Sequence, residues 1–211
     1  MSKLDGQQLA PPRIHPTALI EAGVVIGDGS SVWDNVHIRH GARIGRKCII
    51  GEKTYIAYDV QIGDLCKLNA CVYVCAQVKI AEGVMISAHT VFTNDRFPRA
   101  CDPELEDLLG SDPNAETLWC TVQRGVTIGA NATIGPGLTI GEFAMVGMSS
   151  VVTRSVPPHG LVIGSPARLS GLVCRCGEPV LKLGREQQQP APGSYPCHRC
   201  SRKVSWPQPG R

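Results

Sequence analysis

Residues 32–68 read VWDNVHIRHGARIGRKCIIGEKTYIAYDVQIGDLCKL, and one aliphatic position returns every six residues: Val32, Ile38, Ile44, Ile50, Ile56, Ile62 and Leu68. The phase reaches back to Ile14, Ile20 and Ile26, and forward through Val74, Ile80, Ile86 and Phe92 without a slip. It resumes at Val122, Ile128, Ile134, Ile140, Val146 and Val152. Small or β-branched residues sit four places after the aliphatics, as at Ala18, Val24, Val36, Ala42, Cys48, Thr54, Val60 and Cys66. Glycine often follows directly, as in Ile26-Gly27, Ile44-Gly45, Ile50-Gly51 and Ile62-Gly63. A period of six is neither the 3.6 of a helix nor the 2 of an alternating strand. It is the hexapeptide repeat of a parallel β-helix, in which a short strand and a turn make one side of a triangular coil. Three hexapeptides close a coil of 18 residues, so residues 18 apart stack. The aliphatic points inward and the small residue fits beside it. The expected fold is mainly β, a prism of about six coils and, at the usual strand spacing, about 30 Å long.

The rest of the chain is organised around that prism. With 211 residues there is room for one substantial domain and a small appendix. Residues 1–13 read as a lead-in with the Pro11-Pro12 pair, and 14–172 as the β-helix domain. Within it, residues 97–121 break the repeat with Pro98, Pro103, Pro113 and the acidic Asp102, Glu104, Glu106 and Asp107. An insertion of this length between matched coils is a protruding loop of the functional kind. Residues 158–172 leave the repeat and are expected to pack along or across the last coils. Residues 173–206 form a cysteine-bearing module, with Glu186 to Pro192 a flexible excursion within it, and 207–211 a tail. The net charge of +3 and pI near 8.3, without a basic run, give no sign of a nucleic-acid partner. No apolar stretch is long enough to span a membrane, and Met1 to Pro12 hold no apolar signal core. The expectation is a soluble cytoplasmic protein, whose ten cysteines stay reduced or bind metal.

Four of those cysteines carry the sharpest spacing in the chain. Cys174 and Cys176 form C-x-C, and Cys197 and Cys200 form C-x-x-C after 20 intervening residues. Two hairpin knuckles so separated bring four thiolates to one tetrahedral zinc, in a zinc-ribbon-like module too short to be stable without a staple. A closed four-sulfur site has no open position, so the expected role of zinc is structural. Cys48 and Cys66 take the inward small position and read as core filler. Cys71, Cys75, Cys101 and Cys120 have no paired spacing.

Stacking by 18 also shows which surface side chains share a corner. One corner collects Trp33, Asp34 and Asn35, then Glu52 and Lys53, then Asn69 and Cys71, then Ser87 and His89. Another collects His40, Tyr58 and Asn94, with His37, Tyr55 and Tyr73 on an adjoining edge. Such columns are either side-chain ladders, a subunit interface or a site. His89 lies just before the turn Phe92-Thr93-Asn94-Asp95, where an imidazole can take the proton of an attacking amine or hydroxyl. Asn69 is its candidate catalytic companion, and Trp33, Asp34, Tyr58, Ser87, Thr93 and Asn94 are candidate substrate contacts. His15 reads as structural, and His159 and His198 receive no role.

Several segments resemble the hexapeptide-repeat acyltransferases. They are Ile14-His15-Pro16-Thr17-Ala18, Val32-Trp33 to Val36-His37-Ile38, Phe92-Thr93-Asn94-Asp95 with Pro98-Arg99-Ala100, and Gly164-Ser165-Pro166-Ala167-Arg168. Within that family the chain is most similar to the N-acetyltransferases of nucleotide-linked 3-amino sugars, over about residues 14–170 and not over the cysteine tail. The resemblance implies a left-handed β-helix, against the usual crossover hand, and a homotrimer with active sites between prisms. It also implies acetyl-CoA lying along the later coils. Gly147 and the loop Gly164, Ser165, Pro166, Ala167 and Arg168 would then hold coenzyme A, with Arg124, Arg154 and Arg168 on its phosphates. Members of this group often carry an asparagine pair where this chain has Ala70 and Cys71, with Asn69 just before. The activity implied is acetyl transfer to the amine of a nucleotide-activated amino sugar in cell-surface polysaccharide synthesis. The alternatives are a sugar or small-alcohol O-acetyltransferase, a γ-class carbonic anhydrase using His37, His40 and His89, and a non-catalytic scaffold.

Overall fold

Each aliphatic of the six-residue phase lies on a strand only two or three residues long; from Val32 onward each is buried, while Ile14 at the open end of the prism is exposed and Ile20 and Ile26 are half-buried. In the computed structural model, which describes residues 9–110, 112–114, 117–184 and 188–206, these strands pair in parallel with their counterparts 18 residues on. Ile14 faces Val32, Val32 faces Ile50, Ile50 faces Leu68 and Leu68 faces Ile86. Across the insertion the spacing becomes 42, with Ile80 opposite Val122 and Ile86 opposite Ile128, so the loop leaves the register intact. Among the described residues three faces result, sheets of ten, seven and six strands, and all but the last two strands of the first are parallel rungs of a left-handed solenoid of about eight turns. Its core is a column of Ile, Val and Leu with Phe92, lined by the small residues Ala42, Cys48, Val60, Cys66, Ala132 and Ala144, all buried.

The backbone explains the other repeat positions. Gly45 sits where an added Cβ would come within 2.5 Å of the Gly63 carbonyl carbon on the next coil. Two buried hydroxyls in the inward small column are satisfied by neighbouring coils: Ser30 Oγ donates to the Gly45 carbonyl at 2.8 Å and Thr54 Oγ1 to that of Asn69 at 3.0 Å. One corner carries Asn35, Lys53, Cys71, His89, Asn131 and Ser149 in left-handed conformation, with φ between 53° and 59°. That conformation is unfavourable for side chains other than glycine, and least so for asparagine. Here a ladder offsets it: the amides of Lys53, Cys71, His89 and Asn131 donate to the carbonyls of Asp34, Glu52, Ala70 and Ala88 on the coil before, at 2.8–3.0 Å.

Two expectations need correction at the C-terminal end. The solenoid has about eight turns rather than about six. Residues 158–172 do not leave it at once, because strand Gly160–Gly164 adds a further parallel rung against Met145–Val146. Met145 faces Leu161, a spacing of 16 rather than 18, so the hexapeptide phase does not reveal this rung. Strand Ala167–Val173 then returns antiparallel, and Pro179–Lys182 pairs with it in turn. The prism sheet thus runs into the cysteine module, and the expected boundary at 172/173 falls inside a strand. A two-stranded hairpin, Gly193–Pro196 with Lys203–Trp206, completes the module around Leu172, Cys174, Cys197 and Val204. Residues 1–8 of the lead-in, Glu186 and Gln187 of the expected excursion, and the tail 207–211 lie outside the described residues. No helix of the described residues is long and apolar enough to cross a membrane.

Candidate functional site

The four tail cysteines converge. Cys174 and Cys176 follow the end of strand Ala167–Val173, and Cys197 and Cys200 occupy the turn of the hairpin. Their sulfurs all lie within 4.8 Å of one another, with Cys174–Cys200 and Cys176–Cys197 at 3.5 Å. Tetrahedral thiolate ligation with Zn–S near 2.3 Å puts sulfurs about 3.8 Å apart, so the set fits one zinc ion. Turns bring this about: Gly177, with φ of 86°, donates to the Cys174 carbonyl, and Ser201, with φ of 58°, to that of Cys197. The backbone N–H of Arg202, helped by the Cys174 thiol, lowers the Cys200 thiol to about 6. The module is also tied to the prism. His159 Nδ1–H donates to the Val173 carbonyl at 2.9 Å, and Phe143 stacks on His159 while Arg175 lies over its ring at 4.6 Å. His159, which received no role from the repeat pattern, is therefore a seam residue.

The candidate acceptor residues divide between two corners. On the first, Trp33, Glu52, Asn69, Ala70 and Ala88 line a shallow groove of about 460 Å³. Asp34 lies beside it, accepting from Asn35 Nδ2 at 3.0 Å, and Ser87 and His89 flank Ala88. His89 is exposed. On the second corner, Thr93 Oγ1 donates to the Ile134 carbonyl at 3.1 Å and Asn94 Nδ2 to that of Ala76 at 3.4 Å. The Asn94 carbonyl accepts from Leu118 N, so this pair anchors the protruding loop at its root. The loop is folded on itself, with Cys101 bridged to Leu108 and the Asp102 carboxylate accepting from the amides of Glu106 and Asp107. Tyr58, also at this corner, is sandwiched by His40, 4.6 Å away, and Arg39, 4.2 Å away. Within one chain the two groups do not meet.

Between them runs a ladder the sequence showed only as an edge of aromatics. Glu21 accepts from His37 Nε2 at 2.8 Å and from the His40 amide at 2.9 Å, and pairs with Arg39 Nε at 2.6 Å. Arg39 reaches on to Tyr55 Oη, and Tyr55 stacks on Tyr73. His37 and His40 are thus both committed to Glu21, with His89 on another corner, which does not make a three-histidine metal site within the chain. The His37 hydrogen bond above all, then the His40 amide and Arg39, hold the Glu21 carboxyl at about 2 against partial desolvation, below its ordinary 4.5. A depressed carboxyl stabilises the fold fully above the unfolded value and ceases to do so as pH falls toward the folded one. Glu21→Gln is therefore expected to lower the melting temperature at pH 6, with the difference from wild type closing between pH 4.5 and 2 in a calorimetric series.

The residues expected to hold coenzyme A also divide. Arg154 and Arg168 line a groove of about 890 Å³ where the last coils meet the module, with Ser170, Gln188, Gln189 and Trp206 on its other walls. Gly147 N donates to the Val162 carbonyl at 2.8 Å, and Gly164 N to Ser150 Oγ at 3.1 Å, which fixes the Gly164 to Arg168 turn against the last rung. Ser165 and Pro166 are exposed at its tip, and Ala167 opens the return strand. Arg124 is elsewhere. It pairs with Glu142 at 3.1 Å on the third corner, beside Phe143.

The repeat is also recognisable in family models. That for the bacterial transferase hexapeptide (six repeats) matches residues 23–58, and that for the hexapeptide repeat of succinyl-transferase matches 41–76 and 120–154. The chain is a hexapeptide-repeat protein. This hexapeptide-repeat protein is 46% identical over 55 residues to the dTDP-3-amino-3,6-dideoxy-alpha-D-galactopyranose 3-N-acetyltransferase of Aneurinibacillus thermoaerophilus, a match covering 26% of this chain and 29% of that protein. Among solved structures it is similar to PerB from Caulobacter crescentus in complex with CoA and GDP-perosamine, at 23% identity and a TM-score of 0.44, over 77% of this chain and 58% of that one. It is also similar to a hexapeptide-repeat acetyltransferase of Vibrio cholerae complexed with acetyl coenzyme A, at 25% identity and a TM-score of 0.49, over 63% and 70%. The chain spans less than a third of the curated relative it matches and under two thirds of PerB.

Proposed function

We propose that this protein is an acetyl-CoA-dependent N-acetyltransferase acting on the amine of a nucleotide-activated amino sugar in cell-surface polysaccharide synthesis. The observation that carries this is the 46% identical segment shared with a 3-N-acetyltransferase of a dTDP-linked amino sugar. The site chemistry agrees with it. The amine nitrogen attacks the thioester carbonyl carbon, and the tetrahedral oxyanion collapses with loss of the C–S bond. The amine proton goes to His89, and the thiolate of coenzyme A leaves and is protonated. Asn69 and Trp33 would orient the sugar in the first-corner groove, with Asp34 and Ser87 at its edge. Arg154, Arg168, Gly147 and the Gly164 to Arg168 turn would hold the donor. A hydroxyl acceptor is the second reading, favoured by Ala70 and Cys71 standing where amino-sugar enzymes often carry asparagines.

Three further parts belong to this reading. The protein acts as a homotrimer, which would bring the second-corner residues Tyr58, Thr93 and Asn94 of one prism to the first corner of its neighbour. One structural zinc is held by Cys174, Cys176, Cys197 and Cys200 in a zinc-ribbon-like module. The setting is the cytoplasm, where ten cysteines without a disulfide are at ease. Acetyl-CoA added to the pure protein is expected to raise its melting temperature, because a ligand that binds only the folded state stabilises it. An unchanged melting temperature at millimolar acetyl-CoA, or a monomer by light scattering at micromolar concentration, would count against it.

A further inference from the structure

The cysteine module lies outside the repeat, and its hairpin reaches the prism. Strand Lys203–Trp206 carries Trp206 to the groove at the end of the solenoid, where Gln188 and Gln189 also stand. Opposite them are Arg154 and Arg168 of the prism, and among the described residues no acidic one lines the groove. An indole face, two primary amides and two guanidiniums around about 890 Å³ match a nucleotide. The base stacks on the aromatic ring, the amides meet its polar edge, and the guanidiniums bind phosphate oxygens in pairs. A groove of apolar floor alone would take any hydrophobe, whereas this one pairs cations with a planar ring.

Its position in the fold is equally specific. The Gly164 to Arg168 turn that borders the groove is bonded to Ser150, next to Ser149 on the first corner. Along that corner Ser149, Asn131 and His89 are stacked on successive coils. Two coil spacings, about 10 Å, therefore separate the level of Ser149 from His89, less than an extended pantetheine arm spans. A donor anchored by its nucleotide in the groove would present its thioester at the His89 corner.

We infer that the cysteine module forms one wall of the donor site, with Trp206, Gln188 and Gln189 gripping the adenosine phosphate end of the acyl-CoA. The inference rests on the proposed acetyl transfer from acetyl-CoA and adds to it a binding role for a segment beyond the repeat. It makes the metal centre a support of the donor site, since the four cysteines fix the hairpin that carries Trp206.

The test compares acetyl-CoA with S-acetylpantetheine, which lacks the nucleotide, in full-length metal-loaded protein. Trp206→Ala is expected to raise the KM for acetyl-CoA roughly 10-fold with kcat at saturation unchanged, and to leave the KM for S-acetylpantetheine where it was. Because Trp206 also packs against the small core of the module, the exposed Gln189→Glu serves as a second variant. It places a carboxylate beside the phosphates and is expected to weaken CoA by a similar factor without disturbing packing. Calorimetric titration of CoA reads the same ratio without turnover. Unchanged CoA affinity in both variants, or equal losses for the two donors, would overturn the inference. If the wild type acetylates no amino sugar yet binds CoA with the expected dependence on Trp206 and Gln189, the acceptor reading fails and the groove assignment stands.

Discussion

His89→Ala is expected to lower turnover roughly 100-fold while leaving the KM for acetyl-CoA nearly unchanged, the signature of a lost general base. The corner geometry decides how this is measured. His89 holds a φ of 59° in a column whose neighbours at the same position are Cys71 and Asn131. Alanine in the left-handed region costs about 1 kcal/mol of stability, so part of its effect would be structural. Asparagine tolerates that region and already occupies it at Asn35 and Asn131. His89→Asn therefore keeps the backbone and removes the base, and is the cleaner variant. Both substitutions are expected to show the same loss of kcat, with an unchanged melting temperature for His89→Asn. An asparagine variant that retains most of its activity at pH 8 would take His89 out of the reaction and leave the amine to attack unaided. A hydroxyl acceptor depends on the base more than an amine does, so the size of the loss also bears on the acceptor.

The second large effect concerns the metal centre. Protein purified without chelator is expected to hold about one zinc per chain, and Cys197→Ser close to none. Zinc-finger peptides draw about 10–16 kcal/mol of apparent binding free energy from such a site at neutral pH, more than the small core of Leu172, Cys174, Cys197 and Val204 can replace. Residues 173–206 should then become open to protease while the solenoid still melts cooperatively. The shared strand Ala167–Val173 marks where the damage stops, because it is held on one side by Gly160–Gly164 of the prism. Metal analysis finding no zinc in the wild type would remove the assignment.

Much of this was legible in the sequence because a solenoid is a one-dimensional object. Ile50, Leu68, Ile86 and Ile128 each face the next through the register alone, so the phase of six placed the core, the faces and the corners. The four cysteines were legible because two knuckles at a fixed separation have few other uses. The phase could not count the last rung, where Pro157-Pro158 replace a hexapeptide corner and the spacing drops to 16. Arg124 was grouped with Arg154 and Arg168, although the same arithmetic separates it: Glu142, its partner, is 18 residues on, and Arg154 is not on that column. Contacts made outside the repeat left no such trace. The stack of Arg175, Phe143 and His159, and the arrival of Trp206 at the prism end, depend on a chain path that no period encodes.

The most direct test of the central claim is a product analysis. Full-length protein is incubated with acetyl-CoA and a nucleotide-linked 3-amino sugar, and the sugar is followed by mass spectrometry and nuclear magnetic resonance. The expected result is the gain of one acetyl group on the amine, as an amide that survives mild alkali, with release of one free thiol per product. Release of thiol without an acetylated sugar, or an alkali-labile ester on a hydroxyl, would contradict it.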